Sequence, residues 1–264
     1  MDNLIAIAAA FFYSVTIATI IPGLLSQKGI KTRLVFSFAV AALLCHFWLL
    51  GDTTLRGYGQ NLSILNVASL VSFMISGIMT FAMFKTRLWF LLPIVYGFTA
   101  VNILATLFLP GSFVTHLERH SSLLVHISLA LFSYSTLIIA ALYAVQINWL
   151  DHKLKTKKAM AINPNLPPLL MIERQLFRII AVGNVLLTGT LLTGFLYVDE
   201  MFANGKAHKG VLSSLAWIVF SILLWGHYQQ GWRGKRVTWL AILGAALLTL
   251  AYFGSRFVRE VILS

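Results

Sequence analysis

Eight apolar stretches divide this chain, each followed by a polar or basic loop: Leu4–Leu25, Leu34–Leu50, Leu62–Phe84, Leu88–Leu109, Leu123–Leu150, Phe177–Val198, Val211–Tyr228 and Val237–Phe253. A helix rising about 1.5 Å per residue needs about 17 to 25 residues to cross about 30 Å of hydrocarbon, and each stretch has that length. Backbone polar groups must be bonded internally there, so apolar runs of this kind imply helices. The pattern predicts an all-α polytopic membrane helix bundle with eight transmembrane helices. With 264 residues and 59% apolar composition, no separate soluble module fits, and residues 1–264 are read as a single integral membrane domain.

Basic residues set the predicted orientation, because basic loops resist translocation whereas carboxylates contribute little. If the N-terminus lies outside, the inner loops carry Lys28, Lys31, Arg33, Lys85, Arg87, Lys153, Lys155, Lys157, Lys158, Arg174, Arg178, Arg233, Lys235 and Arg236. The outer segments carry only Arg56, Arg119, Lys206, Lys209, Arg256 and Arg259. Both termini are therefore expected on the outer, periplasmic side. The first apolar run starts at Leu4 with no basic residues before it, which predicts a retained span rather than a cleaved signal. The formal charge of +12 is explained by inner loops resting on anionic lipid, so the bilayer, and no nucleic acid, is the expected partner.

Only the connection 151–176 is long. Asp151 to Lys158 is expected to prolong the fifth helix past the membrane, and Asn163-Pro164-Asn165 with Pro167-Pro168 to break it. Beyond Pro168, Leu169, Leu170, Ile172, Leu176 and Phe177 alternate with Glu173, Arg174, Gln175 and Arg178, predicting an interfacial helix against lipid that leads into the sixth span. Within that span, Gly189 with Thr193 and Thr190 with Gly194 would let another helix approach closely.

Chemistry in the spans rests on histidine. No carboxylate falls in mid-membrane, phosphate-binding glycine loops and a serine nucleophile elbow are missing, and the single cysteine, Cys45, excludes paired-cysteine redox or metal chemistry. No enzymatic activity is expected. Ionisable groups at depth are costly and usually have a task, which singles out His46, His126 and His227. His46 and His126 lie at similar depth near the outer side, with Ser133 as a companion for His126, whereas His227 lies at the inner end of the seventh span. One metal cannot join His126 and His227, so a role for both needs two sites. Against this stands the plain reading that each imidazole bonds a neighbouring helix.

The order of Leu124-Val125-His126-Ile127-Ser128, Ser133-Tyr134-Ser135, Ala140-Ala141-Leu142-Tyr143, Leu192-Thr193-Gly194, Ala216-Trp217-Ile218-Val219-Phe220, His227 and Tyr252-Phe253-Gly254 resembles the cytochrome c assembly membrane family, the CcsA-, CcmC- and HemX-like haem-handling proteins. Gly59-Gln60-Asn61-Leu62-Ser63 echoes it in the first half. The resemblance implies a bacterial inner membrane location, haem as cofactor, an outer haem-ligand histidine at His126 and a second histidine near the inner side at His227. The tryptophan-rich outer loop of haem-presenting members would fall at Glu200–His208, which has no tryptophan, and Ser255 stands near the place of a further outer histidine.

Two readings follow. In the first the protein binds, senses or hands on haem through His126 and His46, without bond-making catalysis. In the second it is a haem-free accessory or scaffold subunit for another inner membrane protein, such as a transporter, engaged through the basic inner loop.

Overall fold

The computed structural model describes residues 2–25, 29–55, 59–84, 89–109, 114–115, 121–155, 169–197, 207–254 and 257. Asn163 to Pro168, Glu200 to Lys206, His116, His120 and Ser255 lie outside these. Among the described residues the chain forms α1 (Asp2–Leu25), α2 (Thr32–Leu55), α3 (Ile64–Ala82), α4 (Leu92–Phe108), α5 (Ser121–Lys155), α6 (Leu169–Tyr197), α7 (Ala207–Gln230) and α8 (Lys235–Thr249). A π-helical turn, Leu250–Gly254, continues α8. Two short antiparallel strands, β1 (Gln60–Asn61) and β2 (Val114–Thr115), pair Gln60 with Thr115 and Asn61 with Val114.

Seven of these helices are long and apolar enough to cross a membrane by length and composition. The eighth, α4, has 17 residues and stands at the lower limit of a crossing. The all-α membrane bundle expected from the apolar pattern is therefore what the chain forms. Boundaries moved where local chemistry acts. Helix α3 begins at Ile64, because the Ser63 hydroxyl caps it by accepting from the amide of Asn66. Helix α4 begins at Leu92 with Pro93 in its first turn, where the missing amide hydrogen costs nothing.

The helices sort into two compact units, α1–α4 with the strands, and α5–α8. Within the first, α1 packs against α2 and α4, and α3 against the same two. Within the second, α5 packs against α6 and α8, and α7 against α6 and α8. Each unit is a closed ring of four helices with its own core.

Helix α5 continues through Asp151 to Lys155, as the pattern there predicts, while Thr156 to Lys158 lie outside the described residues; its 35 residues span about 52 Å. The segment expected as an interfacial helix forms the first turns of α6, a 29-residue helix that runs on into the sixth span without a break. Its apolar stripe divides: Leu170 is exposed, whereas Ile172, Leu176 and Phe177 are buried within the second unit. Packing against protein, rather than lipid, accounts for most of that stripe.

Helices α5 and α6 approach closely at Gly183, where an added Cβ would meet Leu137 Cδ2 at 2.6 Å and where the Ser133 hydroxyl donates to the Gly183 carbonyl at 3.1 Å. Gly189, singled out by the sequence motif, faces Leu129 at ordinary contact distance.

Candidate functional site

His46 sits in the core of the first unit, completely buried. The hydroxyl Oη of Tyr13 on α1 lies 3.3 Å from its Nδ1, and Ser69 Oγ on α3 lies 2.9 Å from its Nε2. A phenol hydrogen given to Nδ1 leaves Nε2–H to donate to the serine, so both ring nitrogens are engaged. Tyr13 and Phe73 meet the ring edge-on, and Tyr96 lies against Tyr13 with centroids 5.4 Å apart. Further along, Ser76 bonds Thr99 and Thr80 bonds Tyr96, each at 2.8 Å. Ser69, Ser72, Ser76 and Thr80 are all buried on one face of α3. The first unit thus has a hydroxyl-lined seam with an imidazole at one end, a pattern that the three- and four-residue spacing along α3 could have revealed.

His126 lies in the second unit, half-buried in the first turns of α5. Its Nδ1 is 3.1 Å from Thr193 Oγ1 on α6. The single hydroxyl hydrogen of Thr193 is already directed at the helix carbonyls of Gly189, 2.8 Å away, and Thr190, 3.1 Å away. The hydroxyl therefore accepts and the ring donates, which places hydrogen on Nδ1 and the lone pair on Nε2, and the Thr190 backbone carbonyl also draws on the ring as an acceptor. Ser133 is not its companion, since the serine hydroxyl is committed to Gly183. Thr193, read from sequence as a packing residue, holds the imidazole.

His227 shows the same division of nitrogens near the end of α7. Its Nδ1 lies 3.3 Å from the carbonyl of Trp232, which can only accept, so Nδ1 carries the hydrogen here too. The ring stacks on Phe177 with centroids 3.4 Å apart and planes 9° from parallel. A tight turn builds this arrangement: the Trp232 amide donates to Gly226 O at 3.1 Å, and the indole covers Gly226 so closely that a Cβ there would enter the ring. Gly231 and Gly234, at φ of 66° and 63°, take the left-handed conformations that the turn requires. Trp232 is thus committed to the turn, while Trp225, Tyr228 and Trp239 are exposed as an interfacial anchor would be.

His126 and His227 stand at opposite ends of the second unit. His227 is about 30 Å along α7 from its Ala207 end, whereas His126 is about 8 Å from the start of α5. Among the described residues no group of three or more histidine, cysteine, aspartate or glutamate side chains comes together to hold a metal ion. With hydrogen on Nδ1, each Nε2 can give one bond to a metal that other atoms hold.

An α-helical membrane bundle with solitary, oriented imidazoles is the class of protein that these features define. The chain belongs to the cytochrome c assembly protein family, whose model matches residues 34–263. It is 51% identical over 259 residues to the inner membrane protein YpjD of Escherichia coli (strain K12), covering 97% of this chain and 98% of that one. It is 31% identical over 140 residues to an uncharacterized 28.8 kDa protein of Azospirillum brasilense, and 27% identical over 157 residues to the cytochrome c biogenesis protein CcsA of Guillardia theta; each match covers 52% of both chains. No solved structure matches it. Apolar helices and the inner membrane relative together make it a multi-pass inner membrane protein.

Proposed function

We propose that this protein binds or hands on haem, whose iron His126 Nε2 would hold, and makes or breaks no covalent bond. The observation that carries the reading is the contact of His126 Nδ1 with Thr193 Oγ1, from which the tautomer follows. Histidines that ligate metals usually donate their other ring N–H to a fixed acceptor, which sets ring orientation and raises ligand basicity. Thr193 is such an acceptor, held by its own bonds to α6. A lone imidazole is a poor site for a free ion but a sufficient one for iron already held by a porphyrin, which when bound would supply redox and ligand-exchange chemistry.

Membership of the cytochrome c assembly family supports the same reading. His227 is a second candidate, at a separate site, since its Nε2 is also free of the Trp232 contact. His46 is the weakest of the three: both its nitrogens hold helices together, and ligation would require the seam to rearrange. The cation bias of the loops supports outward-facing termini, with His126 towards the periplasm.

Protein purified from haem-replete cells should carry a Soret absorption band that His126→Ala weakens. A colourless preparation after haem supplementation would overturn the reading. It would favour the accessory-subunit alternative, which the tryptophan-free segment Glu200–His208 motivates. That alternative expects a stoichiometric partner, lost on deletion of residues 153–168.

A further inference from the structure

Where α5 runs out and α6 and α8 begin, a cleft of about 520 Å³ opens within the second unit. Ile147, Leu176 and Val237 give it an apolar floor, and Asp151, Glu173 and Arg233 a charged wall. Its height in the membrane follows from helix lengths. Helix α6 is about 43 Å long and the hydrocarbon takes about 30 Å, so with its Tyr197 end near the far edge, the first eight or nine residues stand in the headgroup layer. Glu173 is one of them. Helix α5, at about 52 Å, exceeds the full thickness of the bilayer, which puts its Asp151 end at or beyond the same layer.

The charge of the wall is unusual for its surroundings. Two carboxylates and one guanidinium line the cleft, while Arg174, Arg178, Lys235 and Arg236 make the neighbouring sequence strongly basic. Arg233 Nε approaches Glu173 Oε1 at 3.2 Å, but off the hydrogen-bonding direction, and this buried oxygen accepts no aligned hydrogen bond. The glutamate side chain is 16% exposed and the arginine 62%. The carboxylate is therefore fixed with accepting capacity to spare, and the guanidinium is free to lean outward.

We infer that this cleft binds the headgroup of an amine-bearing zwitterionic phospholipid, phosphatidylethanolamine, with the ammonium on Glu173, the phosphate on Arg233 and the first acyl carbons over Ile147 and the exposed Leu170. A primary ammonium offers three hydrogens to a carboxylate, which the quaternary amine of phosphatidylcholine cannot. Phosphatidylglycerol lacks an amine and would bring its negative charge beside two carboxylates. The site thus selects against the anionic lipid that the surrounding basic residues attract.

The test is native mass spectrometry of the full-length protein in mild detergent, equilibrated with equal amounts of phosphatidylethanolamine, phosphatidylglycerol and phosphatidylcholine. One phosphatidylethanolamine should be retained about 10-fold over either competitor. Glu173→Gln should abolish the preference, and Arg233→Gln, at an exposed side chain whose loss leaves the core intact, should cut retention several-fold; helical circular dichroism confirms that both variants are folded. Free phosphoethanolamine at millimolar concentration should not displace the lipid. Equal retention of the three lipids, strongest retention of phosphatidylglycerol, a preference unchanged in both variants, or displacement by micromolar phosphoethanolamine, which would assign the cleft to a soluble amine, would each overturn the inference.

Discussion

Replacing Thr193 by valine keeps the side-chain shape and removes the hydroxyl that accepts from His126 Nδ1 at 3.1 Å. Two effects of different size follow. A side chain hydrogen bond between membrane helices contributes on average about 0.6 kcal/mol, so the fold should barely change. Ligand affinity should change more, because removing the outer partner of a metal-ligating histidine typically costs about 10- to 100-fold. The half-buried Nδ1–H would lose its side-chain acceptor, leaving only the Thr190 backbone carbonyl to hold the ring, so the tautomer that keeps the lone pair on Nε2 would be less firmly enforced. Titration of haemin into purified apo-protein, followed by Soret absorption, measures this directly. The expected order is wild type, then Thr193→Val about 10- to 100-fold weaker, then His126→Ala weaker still, with helix content unchanged throughout. Wild-type affinity in Thr193→Val, alongside lost binding in His126→Ala, would refute the claim that the α6 hydroxyl sets the ligand.

Further outcomes follow from the packing. Gly183→Val should destabilise the second unit by about 1 to 3 kcal/mol, because its Cβ would collide with Leu137 where α5 and α6 approach closely; thermal unfolding in detergent would detect it. His46→Leu should cost about 1 to 3 kcal/mol by stranding Tyr13 and Ser69, yet leave haem binding within a few-fold of wild type in protein that remains folded. Loss of haem from folded His46→Leu would move the ligand to the first unit. Gly226→Ala should displace the Trp232 indole and release His227 Nδ1, which a changed tryptophan fluorescence spectrum would report. A phosphatase reporter active only in the periplasm, fused after Ser264, should be active, and an inactive fusion would reverse the assigned orientation.

The spans were legible because crossing a bilayer constrains length and apolarity one residue at a time, and both are written along the chain. The extension of α5 was legible for the same reason, since Asp151 to Lys155 carries a helix-compatible polar pattern into water. Lateral packing is not written that way. Ser133 and Thr193 are both hydroxyl residues at plausible depth, and only the turn of α6 decides that one bonds Gly183 and the other His126. The division into two four-helix units likewise depends on which faces meet, as does the burial of Ile172, Leu176 and Phe177 that periodicity assigned to lipid. His46 was visible as an ionisable residue at depth, but nothing along the chain tells that both its nitrogens are engaged.

Chemical rescue tests the central claim most directly. His126→Gly, purified with and without imidazole, should lack the wild-type haem spectrum alone and regain it when imidazole occupies the vacated position. A haem spectrum in His126→Gly identical to that of the wild type, with or without imidazole, would contradict the assignment of His126 as the ligand.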